Sequence, residues 1–211
     1  MKVRAQVLCD DAWHPVEVVQ RGLQPLADGG VEFEFVSNAA KWSSSSLNGF
    51  PVVIVAKGNH VSSNDQRPWL TLENQSTLRN FVRQGGGLFV IHGGTCYRDL
   101  PEMRGVTGGA FLHHSDQCLV TLKPKPRHAL TRGVEAFTEM DEHYQMVLDD
   151  AHADVFLRSR SQYGEQPSGW TRSESDGRVC VLTPGHNPEV WRNVSFQTLL
   201  RNGLRWLAKL N

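Results

Sequence analysis

Four apolar runs in this sequence are each followed within a few residues by a histidine. Val3 to Leu8 leads to Asp10-Asp11-Ala12-Trp13-His14, and Val52 to Ala56 leads to Lys57-Gly58-Asn59-His60. Leu88 to Ile91 leads to His92-Gly93-Gly94, and Val179 to Thr183 leads to Pro184-Gly185-His186. Imidazole titrates near neutrality and, when neutral, offers a lone pair to a metal ion, so this pattern points to proton transfer or metal binding. A lone histidine is more often a satisfied core or surface residue; a set in equivalent places carries more weight. Gly108-Gly109-Ala110-Phe111-Leu112-His113-His114-Ser115-Asp116 adds two imidazoles beside a carboxylate. Neighbouring side chains of an extended segment point opposite ways, so one of His113 and His114 should face a shared cleft. Asp141-Glu142-His143-Tyr144 supplies two carboxylates, an imidazole and a phenol. Together these groups could hold zinc, manganese or nickel and leave a position open for water or a substrate oxygen. No H-E-x-x-H or similarly compact motif is present, so tertiary structure must assemble the ligands. Trp13, Trp170 and Trp191 lie close in sequence to these segments, and flat rings suit the C–H faces of sugars.

Hydrophobic periodicity predicts the elements that position these groups. Val3 to Leu8, Val31 to Val36, Val52 to Ala56 and Leu88 to Ile91 read as strands; the last two are apolar throughout, as strands buried on both faces are. Val18, Val19, Leu23 and Leu26 mark a helix over residues 16–27, and Leu78, Phe81 and Val82 one over about 71–84, stopped by Gly85-Gly86-Gly87. From Gly93 to Asp116 the pattern loosens into a long Gly- and His-rich loop. Cys118 to Leu122, Val155 to Arg158, Gly169 to Arg172 and Val179 to Thr183 read as later strands. Phe196, Leu199, Leu200, Gly203, Leu204 and Leu207 form the stripe of a final helix. Buried parallel strands joined by helices imply a three-layer, doubly wound α/β domain with a mostly parallel, flavodoxin-like sheet, in which ligands bind outside the carboxyl ends of the strands.

The chain of 211 residues carries 22 Lys plus Arg against 22 Asp plus Glu, so it has no basic excess to neutralise phosphates and no nucleic-acid partner is expected. At 39% hydrophobic and 21% charged, it has the composition of an ordinary globular protein, and a single domain over 1–211 is expected. Neither a signal peptide nor a membrane span is apparent. Cys9, Cys96, Cys118 and Cys180 are scattered and never paired as C-x-x-C, which fits the cytoplasm. Trp42 and Trp69 could mark the contact of a homodimer.

The sequence resembles the trehalose-utilisation (ThuA-like) family, whose fold is that of class I glutamine amidotransferases. The resemblance runs through Gly85-Gly86-Gly87-Leu88, His92-Gly93-Gly94 and Gly108-Gly109-x-Phe111-x-x-His114, then Arg127-His128-x-Leu130-Thr131-x-Gly133-Val134-x-x-Phe137 and Asp141-Glu142-x-Tyr144. It continues through Trp170-Thr171-Arg172, Gly177-Arg178-Val179, Gly185-His186 and Leu199-Leu200-Arg201-x-Gly203-Leu204-x-Trp206. It implies a role in sugar metabolism, on a disaccharide or its keto derivative, with a divalent metal in the cleft and no nucleotide cofactor. It places His14, His92, His114, Glu142 and His186 at the family's polar cleft positions. On this reading His14, His92, His114 and His186 are metal ligands, and Glu142, His186 and His92 are the catalytic candidates. Trp13, Asp141, Tyr144, Trp170 and Trp191 would contact the sugar. The protein would be a carbohydrate-active hydrolase or isomerase; the alternatives are a non-catalytic sugar-binding or regulatory protein, or an amidotransferase-like hydrolase using Cys96 with His186 and Glu189.

Overall fold

The computed structural model describes residues 3–210. Met1, Lys2 and Asn211, the ends of the expected single domain, lie outside them. The chain begins with β1 (Arg4–Leu8), α1 (Val16–Asp28), β2 (Glu32–Val36), β3 (Val52–Val55), α2 (Leu72–Arg83) and β4 (Gly87–Ile91). Then follow α3 (Pro101–Thr107), β5 (Gly109–His113), β6 (Cys118–Pro124), β7 (Phe137–Asp141) and β8 (Gln145–Leu148). The last elements are β9 (Asp154–Ser161), β10 (Gly164–Glu174), β11 (Gly177–Leu182), α4 (Pro188–Arg192) and α5 (Val194–Leu207).

The main sheet has the order β2-β1-β3-β4-β11-β10-β9-β6-β7, and β5 pairs with β8 in a separate ribbon. From β2 to β11 every pairing is parallel, which forms the doubly wound core. Beyond β11 the pairings are antiparallel, so β10, β9, β6 and β7 extend the core as an arm. The chain leaves β1 for β2 on one side and returns to β3 on the other. This reversal opens a crevice at the carboxyl ends of β1 and β3.

Strand alternation divides the core between two faces. Val7, Ile54, Phe89, Ile91, Cys180 and Leu182 pack under α1, α4 and α5, while Val53, Val55, Leu88, Val90, Val179 and Val181 pack under α2 and α3. Each fully buried Leu, Val or Phe contributes about 1.5–3 kcal/mol relative to exposure, and this burial clamps the strand ends that carry the histidines. Thr71 caps α2 by accepting from the Asn74 N–H at 3.2 Å, a contact of the kind worth about 1 kcal/mol.

Several expectations need correction. The stretch predicted as a loop from Gly93 to Asp116 contains α3 and β5, and α3 is seven residues long, too short to show a period. Strands β7 and β8 went unpredicted because each is short and only partly buried. Trp42 and Trp69 are buried, donating Nε1–H to Gln6 Oε1 and to the Gly58 carbonyl, so neither offers a dimer contact. Among the described residues, no helix is long and apolar enough to cross a membrane.

Candidate metal centre

His92 is the first residue after β4 and has φ 45, a left-handed conformation that a side chain tolerates only when its surroundings enforce it. Thr95 Oγ1 donates to the His92 carbonyl at 2.8 Å, and the turn holds its shape because a Cβ on Gly94 would meet the Val55 carbonyl oxygen. In related α/β architectures a sharp strand-to-helix turn of this kind presents a nucleophile; here it presents an imidazole. His92 Nδ1–H donates to the Thr183 carbonyl at 2.8 Å, which fixes the tautomer and leaves the Nε2 lone pair facing the cleft. Burial lowers the pKa of His92, so the neutral ligand form is favoured.

His14 is held in the same way. Its Nδ1 lies 2.8 Å from Asp11 Oδ2, while the Asp11 carboxylate also accepts from the N–H groups of Trp13, His14 and Gly58. Burial would raise the Asp11 pKa, but the hydrogen bonds from His14, Gly58 and Trp13 outweigh it and hold the carboxyl at about 2. A carboxylate behind an imidazole orients the ring and raises its basicity as a ligand.

The loop after β11 carries His186. Asp141, at the end of β7, accepts from the N–H groups of Gly185 at 2.9 Å and His186 at 3.0 Å. This contact ties the tip of the antiparallel arm to the carboxyl edge of the parallel core. It thereby brings in Glu142, whose Oε2 lies 3.4 Å from His92 Nε2 and 3.3 Å from His186 Nδ1. Burial opposes the Glu142 anion, but the His186 and His92 imidazoles prevail and hold its carboxyl far below the ordinary range. Glu142 in turn raises the pKa of His186.

His14, His92, Glu142 and His186 each offer a ligand atom, and these atoms all lie within 4.8 Å of one another. His186 Nδ1 is buried and faces the Glu142 carboxylate at 3.3 Å without a well-aligned hydrogen bond, an arrangement that a cation among these groups would relieve. Two of the imidazoles have their other nitrogen committed to an acceptor, as metal-binding histidines do. Three imidazoles and one carboxylate suit zinc, manganese or nickel. Tyr144 closes one side: its hydroxyl lies 3.0 Å from His92 Nε2 and its ring stacks on that imidazole with centroids 4.3 Å apart.

The remaining predicted residues divide. His113 and His114 are both exposed, but His114 is the one that faces the centre; its Nε2 is 3.5 Å from Glu142 Oε1, and it stands at the rim, outside the group of four. Trp13 is 65% exposed beside His60, with ring centroids 4.8 Å apart, and remains available to a ligand. Trp170 and Trp191 are not available. Both are fully buried, and their Nε1–H groups donate to the Thr107 carbonyl at 2.8 Å and the Gly185 carbonyl at 2.7 Å. Asp141 is also buried, its oxygens used by loop N–H groups, so it positions His186 and does not contact a sugar. Burial pushes the Cys96 thiol up to about 12, which opposes the thiolate that a cysteine hydrolase uses at neutral pH.

Asp11 and Lys57 were not singled out by the sequence. The Asp11-x-x-His14 spacing was the available signal, since an aspartate three residues before an imidazole can reach its Nδ1. Lys57 is entirely buried at the carboxyl end of β3, where it donates to the Val61 carbonyl at 2.9 Å; burial lowers its pKa to about 8.

A family model described as trehalose utilisation (ThuA) matches residues 10–207. No curated protein matches the chain. Among solved structures, a protein described as ThuA-like from Parabacteroides merdae superposes with a TM-score of 0.79 at 16% identity, covering 99% of this chain and 90% of that one. Another described as ThuA-like, from Bacteroides uniformis, gives 0.75 at 18% identity, covering 97% of this chain and 91% of that one. A protein from Thermoplasma acidophilum described as part of a GMP synthase gives 0.64 at 13% identity with 98% and 94% coverage. At these identities the likeness establishes the fold alone, one shared with the GMP synthase subunit.

Proposed function

From the premise that this chain belongs to the trehalose-utilisation (ThuA) family, we propose that it is a metal-dependent enzyme acting on a disaccharide or its keto derivative. The observation that carries this reading is the convergence of His14, His92, Glu142 and His186, with ligand atoms within 4.8 Å of one another. When bound there, a divalent ion supplies Lewis acidity toward a sugar oxygen or a water molecule. Zinc, manganese and nickel all suit the donor set.

The rest of the chemistry falls to the chain. Asp11 and the Thr183 carbonyl hold His14 and His92 as single tautomers, so no reorganisation is needed when the ligand arrives. Glu142 and His186, first candidates for proton transfer, act here as a paired carboxylate and imidazole that hold the ion. The proton-handling role passes to His114. It reaches Glu142 from the open side and donates Nδ1–H to the Ser115 carbonyl at 2.8 Å, which leaves Nε2 to accept a proton from a substrate hydroxyl or carbon. Tyr144 shuts the inner wall against water, and burial keeps its phenol protonated. A cytoplasmic location accords with four unpaired cysteines.

Metal analysis of untagged protein, followed by turnover of a disaccharide panel with and without chelator, tests the reading. Stoichiometric metal that disappears in His92→Ala and persists in His114→Gln, with turnover lost in both variants, is the expected result. Wild-type protein that purifies metal-free and takes up none of the three ions, or turnover indifferent to chelation, refutes it.

A further inference from the structure

Beside the candidate metal centre lies a groove of about 360 Å³ whose walls include Asn59, Arg98, Asp99, Phe111 and Leu112. It shares structure with the centre. The Phe111 ring lies 4.2 Å from that of Tyr144 and 5.9 Å from that of His114, and Cys96, also in the groove wall, donates from Sγ to the Tyr144 hydroxyl at 3.9 Å. A ligand group lying in the groove is therefore one aromatic ring away from Tyr144 and His114, which border the four candidate ligands.

The chemistry of the walls selects the occupant. Leu112 is 40% exposed and with half-buried Phe111 offers an apolar surface to C–H groups. Asn59 is oriented by accepting the Leu70 N–H on Oδ1 at 2.9 Å, which leaves its amide nitrogen as a donor with no acceptor among the described residues. Arg98 Nε and Asp99 Oδ1 are 3.5 Å apart on exposed side chains, a pair too weak to withdraw either from a ligand. One cation and one anion in the same groove disfavour a charged ligand of either sign and favour a neutral polyol, whose hydroxyls can meet donors and acceptors while its ring face meets Phe111 and Leu112.

We infer that this groove holds the non-reacting ring of a disaccharide whose reacting ring lies against His92, His114 and Glu142. The preference for a disaccharide over a monosaccharide is set in the groove and not at the ion. This assignment rests on the proposed function and adds a binding subsite to it.

Titration calorimetry of trehalose, maltose, sucrose and glucose against metal-loaded wild type, Arg98→Ala and Leu112→Glu tests the subsite. Both replaced side chains are exposed and lie outside the metal centre, so the variants should fold and retain metal. The best-bound disaccharide should lose about tenfold or more in affinity in each variant, while glucose stays within about twofold of its wild-type value. Disaccharide affinity that is unchanged in both variants, or that falls only in step with glucose, overturns the subsite and leaves the metal-centre reading standing. Wild-type protein that carries metal but binds none of the sugars overturns the sugar reading itself, and the subsite with it.

Discussion

Replacing Asp11 by asparagine exchanges one oxygen for an amide nitrogen and should reach the metal centre through His14. In the native protein both carboxylate oxygens accept, from His14 Nδ1 and from the N–H groups of Trp13, His14 and Gly58. Asparagine keeps one acceptor and puts an amide N–H₂ where the second oxygen met donors. Because His14 Nδ1 lies within reach of both oxygens, the retained oxygen can still accept from it, but the amide N–H₂ then meets either the Gly58 N–H or the Trp13 and His14 N–H groups, and the shift that relieves this contact moves the imidazole that it was holding. Loss of an outer partner of this kind costs about 10–100-fold in metal affinity.

The same substitution has a stability signature with a definite sign. The Asp11 carboxyl is held at about 2 in the folded chain against 3.8 as the ordinary value, and the residue is buried. A depressed folded pKa contributes stability that is complete above the unfolded pKa and is lost as pH falls through the folded value. At about 1.4 kcal/mol per pH unit, the contribution is about 2 kcal/mol at neutral pH. Urea unfolding of metal-free wild type and Asp11→Asn at pH 7, and again at pH 4 and 3, should show a gap that is widest at neutrality and shrinks below about pH 4. Chelator competition at pH 7 supplies the affinity. Equal zinc affinity in the two proteins, or a stability gap independent of pH, would refute the claim that Asp11 acts as the ionised partner of His14.

Two further outcomes separate the structure from readings based on sequence alone. Cys96→Ser should keep its metal and at least about half of wild-type turnover, and the wild-type thiol should resist alkylation at pH 7, because the thiol is held near 12; rapid alkylation with loss of turnover would restore the cysteine hydrolase. Trp191→Phe should lower stability by about 1–3 kcal/mol in chemical denaturation, through a smaller ring and an unpaired Gly185 carbonyl, and leave sugar affinity in the folded protein within about twofold. A large loss of sugar affinity with stability intact would mean that Trp191 contacts ligand.

The parallel core was legible because its strands leave few alternatives. Val52–Val55 and Gly87–Ile91 are buried at every position, and only a central strand covered on both faces has that pattern at such a length. The antiparallel arm hides because its strands are only half buried: β7 exposes Thr138 and Met140, and its five residues resemble a polar turn. The histidines at strand ends were legible for a topological reason, since parallel strands direct every carboxyl end to one edge. The tryptophans misled because nearness along the chain says nothing of where a ring points. Trp170 and Trp191 are close in sequence to the site and turn into the core.

The carboxylates show why the residues that hold a site in place are harder to find than the residues that face it. Asp11 lies in a polar stretch with no role of its own in the sequence, and Asp141 was expected at a sugar, yet both are buried, and each gathers N–H groups from loops that carry a histidine of the centre. A buried carboxyl group is costly unless its lone pairs are filled. The cost is met only when His14 and Gly58, in one case, and Gly185 and His186, in the other, take up the positions that the centre requires. The burial of these two side chains is thus conditional on the loops being correctly placed, so an error in either loop leaves an unsatisfied carboxyl group in the interior. Parallel topology brings the two loops to the edge that carries His92, and that penalty then holds His14 and His186 in place there.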